Sequence, residues 1–473
     1  MTPGILEPSS PTKLEKNHFF YSNMKKLFGT DGIRGLANRD PITPEMGRKL
    51  GQAVAHLCIK QGKDPDLVIG RDTRVSGEPL ANALISGVLS AGGRVFQAGV
   101  LPTPGVAYLT RELGAGAGIM VSASHNPQEY NGFKVFSKGG FKLSDAEEAK
   151  MEKIILSAEG PPPSTIPGKT GSVDNLDDAV ERYVSFLMKT WSAKAGPRGM
   201  KIVLDCANGA AYRSAPLLFS RLGAQTEALF VRPDGKNINH DCGSEHPEAL
   251  GQRVIETGAE AGFAFDGDGD RIVAVDEKGG ILRGDKILTI CAKMLKEQGA
   301  LKNNVVVSTV MSNMGLGKAL KTLGIKRIVA PVGDRYVMEE MRAHKADLGG
   351  EESGHTIFFN HHTTGDGLLS ALHLVSAMKT FKQPLSELSK LMSLFPQILI
   401  SVPVETKPDI SEVQELVRAI KKAEQGLGES GRVLVRYSGT EPVCRVMVEG
   451  EKEDEAKAYA GEIADVIRKA LGY

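Results

Sequence analysis

The sequence predicts an α/β fold in four parts: three similar α/β domains followed by a smaller C-terminal α+β domain. Two observations carry this. A unit of apolar strand, polar loop and helix recurs three times, and the pattern changes after Pro396. The totals allow it, because 473 residues with 41% hydrophobic content can fill three or four cores.

Taken in order, residues 1-23 are polar and carry Pro3, Pro8 and Pro11. They lack the apolar stretch of a signal peptide and are expected to be a flexible extension, with Met24 as a candidate start. Gly29-Thr30-Asp31-Gly32-Ile33-Arg34-Gly35 is a glycine-punctuated loop whose Arg34 can be aimed at an anion; a solvated turn is the alternative. Pro44 to Ile59 reads as an amphipathic helix with Met46, Leu50, Val54 and Leu57 on one face.

The first repeat is a strand at Asp66 to Gly70, a polar loop from Arg71 to Gly77 and a helix from Glu78 to Ser90. The second is a strand at Lys201 to Asp205, a loop to Ala210 and a helix from Ala211 to Leu222. The third runs from a strand at Asn304 to Ser308 through Asn313 into a helix ending near Leu323. Such units build mostly parallel sheets. Pro161-Pro162-Pro163 to Gly171 reads as a linker. The tail shows a helix near Ile410 to Gln425, strands at Arg432 to Val435 and Cys444 to Glu449, and a helix from Asp454 to Leu471. The expected domains are 24-172, 173-278, 279-392 and 393-473.

Within this frame Gly118 to Pro127 is a short buried strand running into a polar turn. The turn holds Ser124 on a rigid scaffold and open to a cleft. Alone, it is an ordinary turn, and Ser124 and His125 are not a dyad by adjacency, since neighbours in an extended chain point to opposite faces. Phe263-Ala264-Phe265-Asp266-Gly267-Asp268-Gly269-Asp270-Arg271 places three carboxylates at alternate positions after an apolar run. Extended, their Cα atoms would stand ~6.6 Å apart; Gly267 and Gly269 let the loop coil so that they converge. Three hard oxygen ligands suit Mg²⁺. The offsets of Asp266, Asp268, Asp270 and Glu277 also match a calcium-binding EF-hand. Arg271, however, occupies that motif's glycine position, and the flanks read as strands. An acidic turn without metal is the bland alternative.

Gly349-Gly350-Glu351-Glu352-Ser353-Gly354-His355 offers a carboxylate and a hydroxyl to vicinal sugar hydroxyls, or is a surface acidic turn. Arg436-Tyr437-Ser438-Gly439-Thr440, with Arg445 beyond, has the composition of a phosphate cradle; a strand-to-strand turn explains it nearly as well.

Lys+Arg 58 against Asp+Glu 57, a net charge of +1, argues against a nucleic-acid or membrane-surface partner. Cys58, Cys206, Cys242, Cys291 and Cys444 are scattered and point to buried free thiols in a cytoplasmic protein. No apolar run reaches the ~18 residues of a membrane span. Gly114 to Gly118 precedes a strand rather than opening a helix, so it is no dinucleotide fingerprint, and the Gly-x-Ser-x-Gly elbow of serine hydrolases is missing.

Ser124-His125-Asn126-Pro127, the Asp266 to Arg271 run, Gly350-Glu351-Glu352-Ser353-Gly354-His355 and Arg436-Tyr437-Ser438-Gly439-Thr440 stand in the order found in the α-D-phosphohexomutases. The chain resembles that family from about Lys26 to its C-terminus. Phe28 to Gly35, Pro331-Val332-Gly333-Asp334-Arg335-Tyr336 and Thr363-Thr364-Gly365-Asp366-Gly367 look most like members acting on glucosamine phosphate. Glu352 departs from the uncharged residue often found there, which bears on fine substrate preference.

The resemblance implies mixed sheets around a central cleft. It implies Ser124 as the phosphorylated residue, Ser122 as a neighbour without that role, and Mg²⁺ held by Ser124, Asp266, Asp268 and Asp270. Lys134 matches the family's candidate general base, its pKa lowered by burial beside cations; a phosphate-binding lysine that keeps its proton is the alternative. Arg34, His125 and Arg271 would steady the phosphoserine. Glu351, Ser353 and His355 would grip the sugar, and Arg436, Ser438, Gly439, Thr440 and Arg445 the non-reacting phosphate, with the fourth domain as a lid. The implied reaction interconverts glucosamine 6-phosphate and glucosamine 1-phosphate through a hexose or hexosamine 1,6-bisphosphate. Glucose or mannose phosphates, or a non-catalytic phosphosugar-binding role, are the alternatives. The partners expected are a phosphosugar and, as a homodimer, a second copy of the chain.

Overall fold

The structure, a computed structural model, describes residues 27–29, 31–157, 170–190, 197–438 and 442–472. The expected extension 1-23 and most of the expected linker lie outside them.

Three α/β sheets follow one another, each mixed as the resemblance implies: a parallel run that ends in an antiparallel return. The first sheet runs Ile33–Leu36, Tyr130–Ser137, Ala117–Val121, Leu67–Arg71, Arg94–Val100, Ser172–Asn175. Its last four strands are parallel; Tyr130–Ser137 returns antiparallel to Ala117–Val121. The second runs Ile281–Leu282, Ile272–Asp276, Ala261–Phe265, Lys201–Asp205, Gln225–Leu229, again with an antiparallel return after Ala261–Phe265. The third runs Lys326–Ala330, Val305–Thr309, Leu348–Gly350, Thr356–Phe358, and the last pair is antiparallel.

The loops 122–129, 266–271 and 351–355 are the three hairpin connections at these returns. Each is shorter than the dozen or so residues a parallel crossover requires, so the chain must turn back on itself. The serine, acidic and sugar motifs therefore occupy the same position in three repeats. The fourth sheet, Gln397–Pro403, Val443–Gly450, Gly431–Tyr437, is wholly antiparallel. It is backed by Gln414–Leu427 and Glu453–Leu471 around its own core of Val402, Val446 and Ile463.

Two sheets overrun the expected domain edges. Ser172–Asn175 pairs with the first sheet and Ile281–Leu282 with the second. Both are short sheet-edge strands without an alternating apolar pattern, which is why the sequence hides them.

Helix Pro44–Lys60 follows its sequence signals: the Thr43 hydroxyl accepts from the Met46 amide, and Pro44 sits where no amide partner is needed. Met46, Leu50 and Val54 are buried as expected, with Cys58 in place of Leu57 completing the stripe. In the second repeat the expected helix is interrupted: a 3₁₀ turn, Ala210–Tyr212, precedes Ser214–Arg221. All five cysteines are free and buried.

One apolar cluster runs from Val68 and Phe136 through Phe263 to Leu372, so the first three domains share a core. At this joint the Thr363 amide donates to His362 Nδ1 (2.8 Å), and Nε2–H donates to the Pro104 carbonyl (3.0 Å). The first bond needs a neutral ring, because Nδ1 must keep its lone pair; the second would survive protonation. Burial, helped by Arg111, pushes its pKa down to about 3. Above pH 6.5 the ring is neutral folded or unfolded; below it only the unfolded chain gains a proton, so stability falls towards pH 3. Between pH 7 and 5 this group should remove about 2 kcal/mol. His362→Gln, which retains a donor, should flatten that part of the pH dependence in urea unfolding; an unchanged slope would count against the assignment.

Candidate active site

Strand Ala117–Val121 is fully buried and delivers Ser124 into the hairpin turn with φ +54°. A non-glycine residue in this region costs about 1–3 kcal/mol and persists only where its surroundings hold it. The Ser122 hydroxyl accepts from the Ser124 amide (2.9 Å) and donates to Asp72 Oδ2 (2.6 Å), which gives Ser122 its supporting role. Ser124 itself is buried rather than open to a cleft, because its Oγ turns inward and donates to Asp266 Oδ2 at 2.5 Å.

The left-handed backbone also defeats the opposite-faces argument: His125 Nδ1 comes to 3.5 Å from Ser124 Oγ. The ring still cannot serve Ser124 as a base, since Arg271 Nη1 donates to the same Nδ1 (2.8 Å). Burial, then Arg271 and Arg34, lower its pKa to about 4. Arg34 pairs with Asp31 and lies 3.5 Å from the Ala123 carbonyl, beneath the serine turn.

The acidic loop coils as its glycines predict, for two different reasons. Gly269 has φ +70°, whereas Gly267 is needed for close approach, since a Cβ there would lie 2.5 Å from the Ser124 carbonyl oxygen. Asp266, Asp268 and Asp270 are buried, each offering an oxygen within 4.8 Å of the others. Asp268 Oδ1 and Asp270 Oδ1 are buried without a hydrogen-bond partner. Convergent, under-satisfied carboxylate oxygens beside Ser124 fit a hard divalent cation. Burial, then Asp268 and Asp270, push the Asp266 carboxyl well above its usual range. Burial opposes ionisation of Asp270 too, but Lys134 and His355 outweigh it and hold that carboxyl low.

Lys134 contradicts the expectation of a lowered pKa. It is fully buried, and burial alone would lower it, but its neighbours are carboxylates rather than cations. Its Nζ lies 2.7 Å from Asp268 Oδ2, 2.9 Å from Asp270 Oδ2 and 3.3 Å from Asp31 Oδ2, and these raise its pKa well above that of free lysine. Arg271 is likewise held charged: burial is outweighed by Asp270 and Asp266, and its amide donates to Asp266 Oδ1 (3.1 Å).

A cleft of about 300 Å³ opens where the first three domains meet. Asp31 and Lys142 line it from the first domain, Asp270 and Arg271 from the second, Asp334 and Glu351 to His355 from the third. Beside it runs a closed ring of alternating charge that the sequence did not reveal. Lys134 pairs with Asp31, Asp31 with Lys142, Lys142 with Asp334 (2.5 Å), Asp334 with His355 (3.2 Å), His355 with Asp270 (3.6 Å), and Asp270 with Lys134. Although burial opposes it, Asp334 and Asp270 raise His355 to about 10. The Gly365 amide also approaches Nε2 (3.0 Å), which would require a neutral ring. Two buried carboxylates outweigh one amide, and the imidazolium prevails. Glu351 accepts from the Gly333 amide (3.1 Å), and Ser353 Oγ is buried without a hydrogen-bond partner.

Lys142 carried no sequence signal. Asp31 and Asp334 lay in loops already singled out, and only their long-range partners were invisible.

The cradle residues Arg436, Ser438 and Arg445 do not line this cleft; Gly439 and Thr440 lie outside the described residues. Arg436 and Arg445 stand opposite each other across adjacent strands, a pairing of like charges. Burial and Arg445 lower the Arg436 pKa. Arg432, at the other end of that strand, anchors the domain by donating to the Val310 and Ser312 carbonyls (2.7 and 2.6 Å).

Comparison with known proteins agrees with this geometry along the whole chain. The phosphoglucomutase/phosphomannomutase alpha/beta/alpha domains I, II and III match residues 25–160, 181–280 and 283–395, and the C-terminal domain matches 399–466. Relatives named phosphoglucosamine mutase include one from Syntrophus aciditrophicus, 52% identical over 95% of this chain and 100% of its own length. Another, from Syntrophobacter fumaroxidans, is 51% identical over 95% and 100%. A crystal structure of a phosphoglucomutase/phosphomannomutase family protein from Burkholderia thailandensis superposes with TM-score 0.80 at 26% identity, covering 95% of this chain and 99% of that one. With all four domains matched in order and half the residues shared over full length, the chain belongs to the phosphoglucomutase/phosphomannomutase family.

Proposed function

We propose that this protein is a Mg²⁺-dependent phosphoglucosamine mutase, an isomerase that interconverts glucosamine 6-phosphate and glucosamine 1-phosphate in the supply of amino sugar for the cell envelope. The observation that carries the reading is Ser124 Oγ seated on Asp266 inside a buried carboxylate triplet, at the edge of a cleft lined by three domains. Relatives named for this activity, at about half identity over nearly the whole chain, supply the substrate.

The working form carries a phosphoryl group on Ser124 Oγ. The Oγ–P bond breaks as a sugar hydroxyl oxygen bonds to phosphorus; the sugar hydroxyl gives up its proton and Ser124 Oγ regains one, so the serine hydroxyl is restored. The bound bisphosphate then turns, and its other phosphoryl group returns to Ser124, so one phosphosugar enters and its isomer departs. Asp266, Asp268, Asp270 and Ser124 would hold Mg²⁺, whose bound charge stabilises phosphoryl oxygens. Arg34, His125 and Arg271 surround the serine and orient its phosphate. Lys134 grips Asp268 and Asp270, and it holds the Asp270 carboxyl ionised. Glu351, Ser353 and His355 face the sugar, and Arg436, Ser438, Gly439, Thr440 and Arg445 take the phosphate that is not reacting.

Among the described residues no helix is long and apolar enough to cross a membrane. A cytoplasmic location, a homodimer and a closing fourth domain belong to this proposal. Identical solution scattering with and without sugar phosphate would count against closure.

The test is kcat/KM on the 6-phosphates of glucosamine, glucose and mannose. Preference for glucosamine is expected, and a strong preference for either neutral sugar overturns the choice. Arg445→Ala should raise KM for the phosphosugar about 10- to 100-fold, the loss of one charge-assisted contact, with a smaller effect on kcat. A fall in kcat at constant KM would remove Arg445 from the cradle.

A further inference from the structure

We propose that Arg74 of the first domain and Asn239 of the second form a clamp that holds Ser124 in its reactive backbone conformation. The proposal rests on the reading of Ser124 as the phosphoryl carrier. Arg74 follows strand Leu67–Arg71 and is 1% exposed, and among the described residues it pairs with one carboxylate, Asp72. Its remaining donors converge on the serine turn: Nη2 donates to the Ser124 carbonyl (2.9 Å) and the Asn126 carbonyl (2.8 Å), and Nη1 to the Pro127 carbonyl (2.5 Å). Asn239 Nδ2 donates to the same two carbonyls, of Ser124 (2.8 Å) and Asn126 (3.0 Å). Both acceptors are carbonyls, so only the amide nitrogen of Asn239 can face them.

The amide side of Ser124 is fixed through Arg74, by way of Asp72 and Ser122. Asp72 Oδ2 accepts from Arg74 Nε (2.9 Å) and from the Ser122 hydroxyl (2.6 Å), which in turn accepts from the Ser124 amide. Ser124 is thus gripped at its N–H and its C=O by one network, with φ at +54°, where a serine does not rest unaided. Release would let the backbone relax, swing the Cα–Cβ bond and carry Oγ away from Asp266. The clamp also reaches the acidic loop, since a Cβ at Gly267 would meet the Ser124 carbonyl at 2.5 Å and Asn239 Nδ2 at 2.8 Å. Arg74 and Asn239 are therefore positioning residues. They touch neither the sugar nor the transferred phosphate in this scheme, and they register the serine of one domain against the carboxylates of another.

The experiment is single-turnover phosphoryl transfer. Full-length protein is loaded on Ser124 with glucose 1,6-bisphosphate, then mixed with glucosamine 6-phosphate in Mg²⁺. Asn239→Ala and Arg74→Lys should each slow transfer by about 10- to 100-fold, the penalty for an ångström-scale misplacement, with KM for the sugar phosphate within about threefold of wild type. Arg74→Lys keeps the charge but loses the fork, so a slow Arg74→Lys protein with native circular dichroism separates aim from charge. Wild-type transfer rates in both variants would overturn the clamp, as would losses that merely follow the fraction of folded protein. Ser124→Ala run alongside distinguishes the failures. If it still turns over, the reading of Ser124 falls; if it is inactive while the clamp variants transfer normally, only the clamp falls.

Discussion

Ser124→Ala should abolish mutase turnover, by at least ~10⁴-fold, while sugar phosphate still binds. The neighbouring hydroxyl of Ser122 is not expected to take over. Ser122, two residues away, spends its oxygen on the Ser124 amide and its proton on Asp72. Intact mass measurement of wild-type protein should find phosphate on Ser124, none on the Ser124→Ala protein, and phosphate still present on Ser122→Ala. Ser122→Ala should lose only part of its rate, because it loosens the turn without removing the carrier. Turnover in Ser124→Ala comparable to wild type would end the phosphoserine assignment.

The second large effect is expected in stability. Lys134→Met removes the cation between Asp268 and Asp270 and leaves two buried carboxylates facing each other. Breaking a buried ion pair from one side costs about 3–5 kcal/mol, more than truncating the aliphatic stem would. The burden should depend on metal, since a divalent cation on the same carboxylates restores part of the missing charge. Urea unfolding should therefore show a larger loss for Lys134→Met in EDTA than in Mg²⁺, and turnover should fall at least ~100-fold in either, because the charge arrangement around the transferring group is lost. A loss below ~1 kcal/mol in EDTA, or an equal loss with and without Mg²⁺, would show that the lysine and the metal site are not coupled in this way.

The positions of the serine, acidic and sugar motifs were readable because each is a short polar run closing an apolar strand, and that pattern is local. Their equivalence was not readable. Only the pairing of Ala117–Val121 with Tyr130–Ser137, Ala261–Phe265 with Ile272–Asp276, and Leu348–Gly350 with Thr356–Phe358 shows that all three are the same hairpin. Lys134 illustrates the limit from the other side. The family resemblance suggested a general base beside cations, and the fold instead set it among Asp31, Asp268 and Asp270. A pKa depends on which charges lie within a few ångströms, and sequence distance carries almost none of that information.

By itself, the sequence determined the α/β class, the separate C-terminal domain, the glycines that let the acidic loop coil, and Ser124 as the residue to watch, because strand, turn and ligand chemistry are written in runs of a few residues. The tertiary structure decided the rest: the ring from Lys134 to Asp270, the inward aim of Ser124 Oγ, and the grip of Arg74 and Asn239 on its carbonyl. These join residues scores of positions apart. Such contacts exist only once several sheets have packed on a shared core, and burial there turns ordinary charged side chains into partners that must be satisfied.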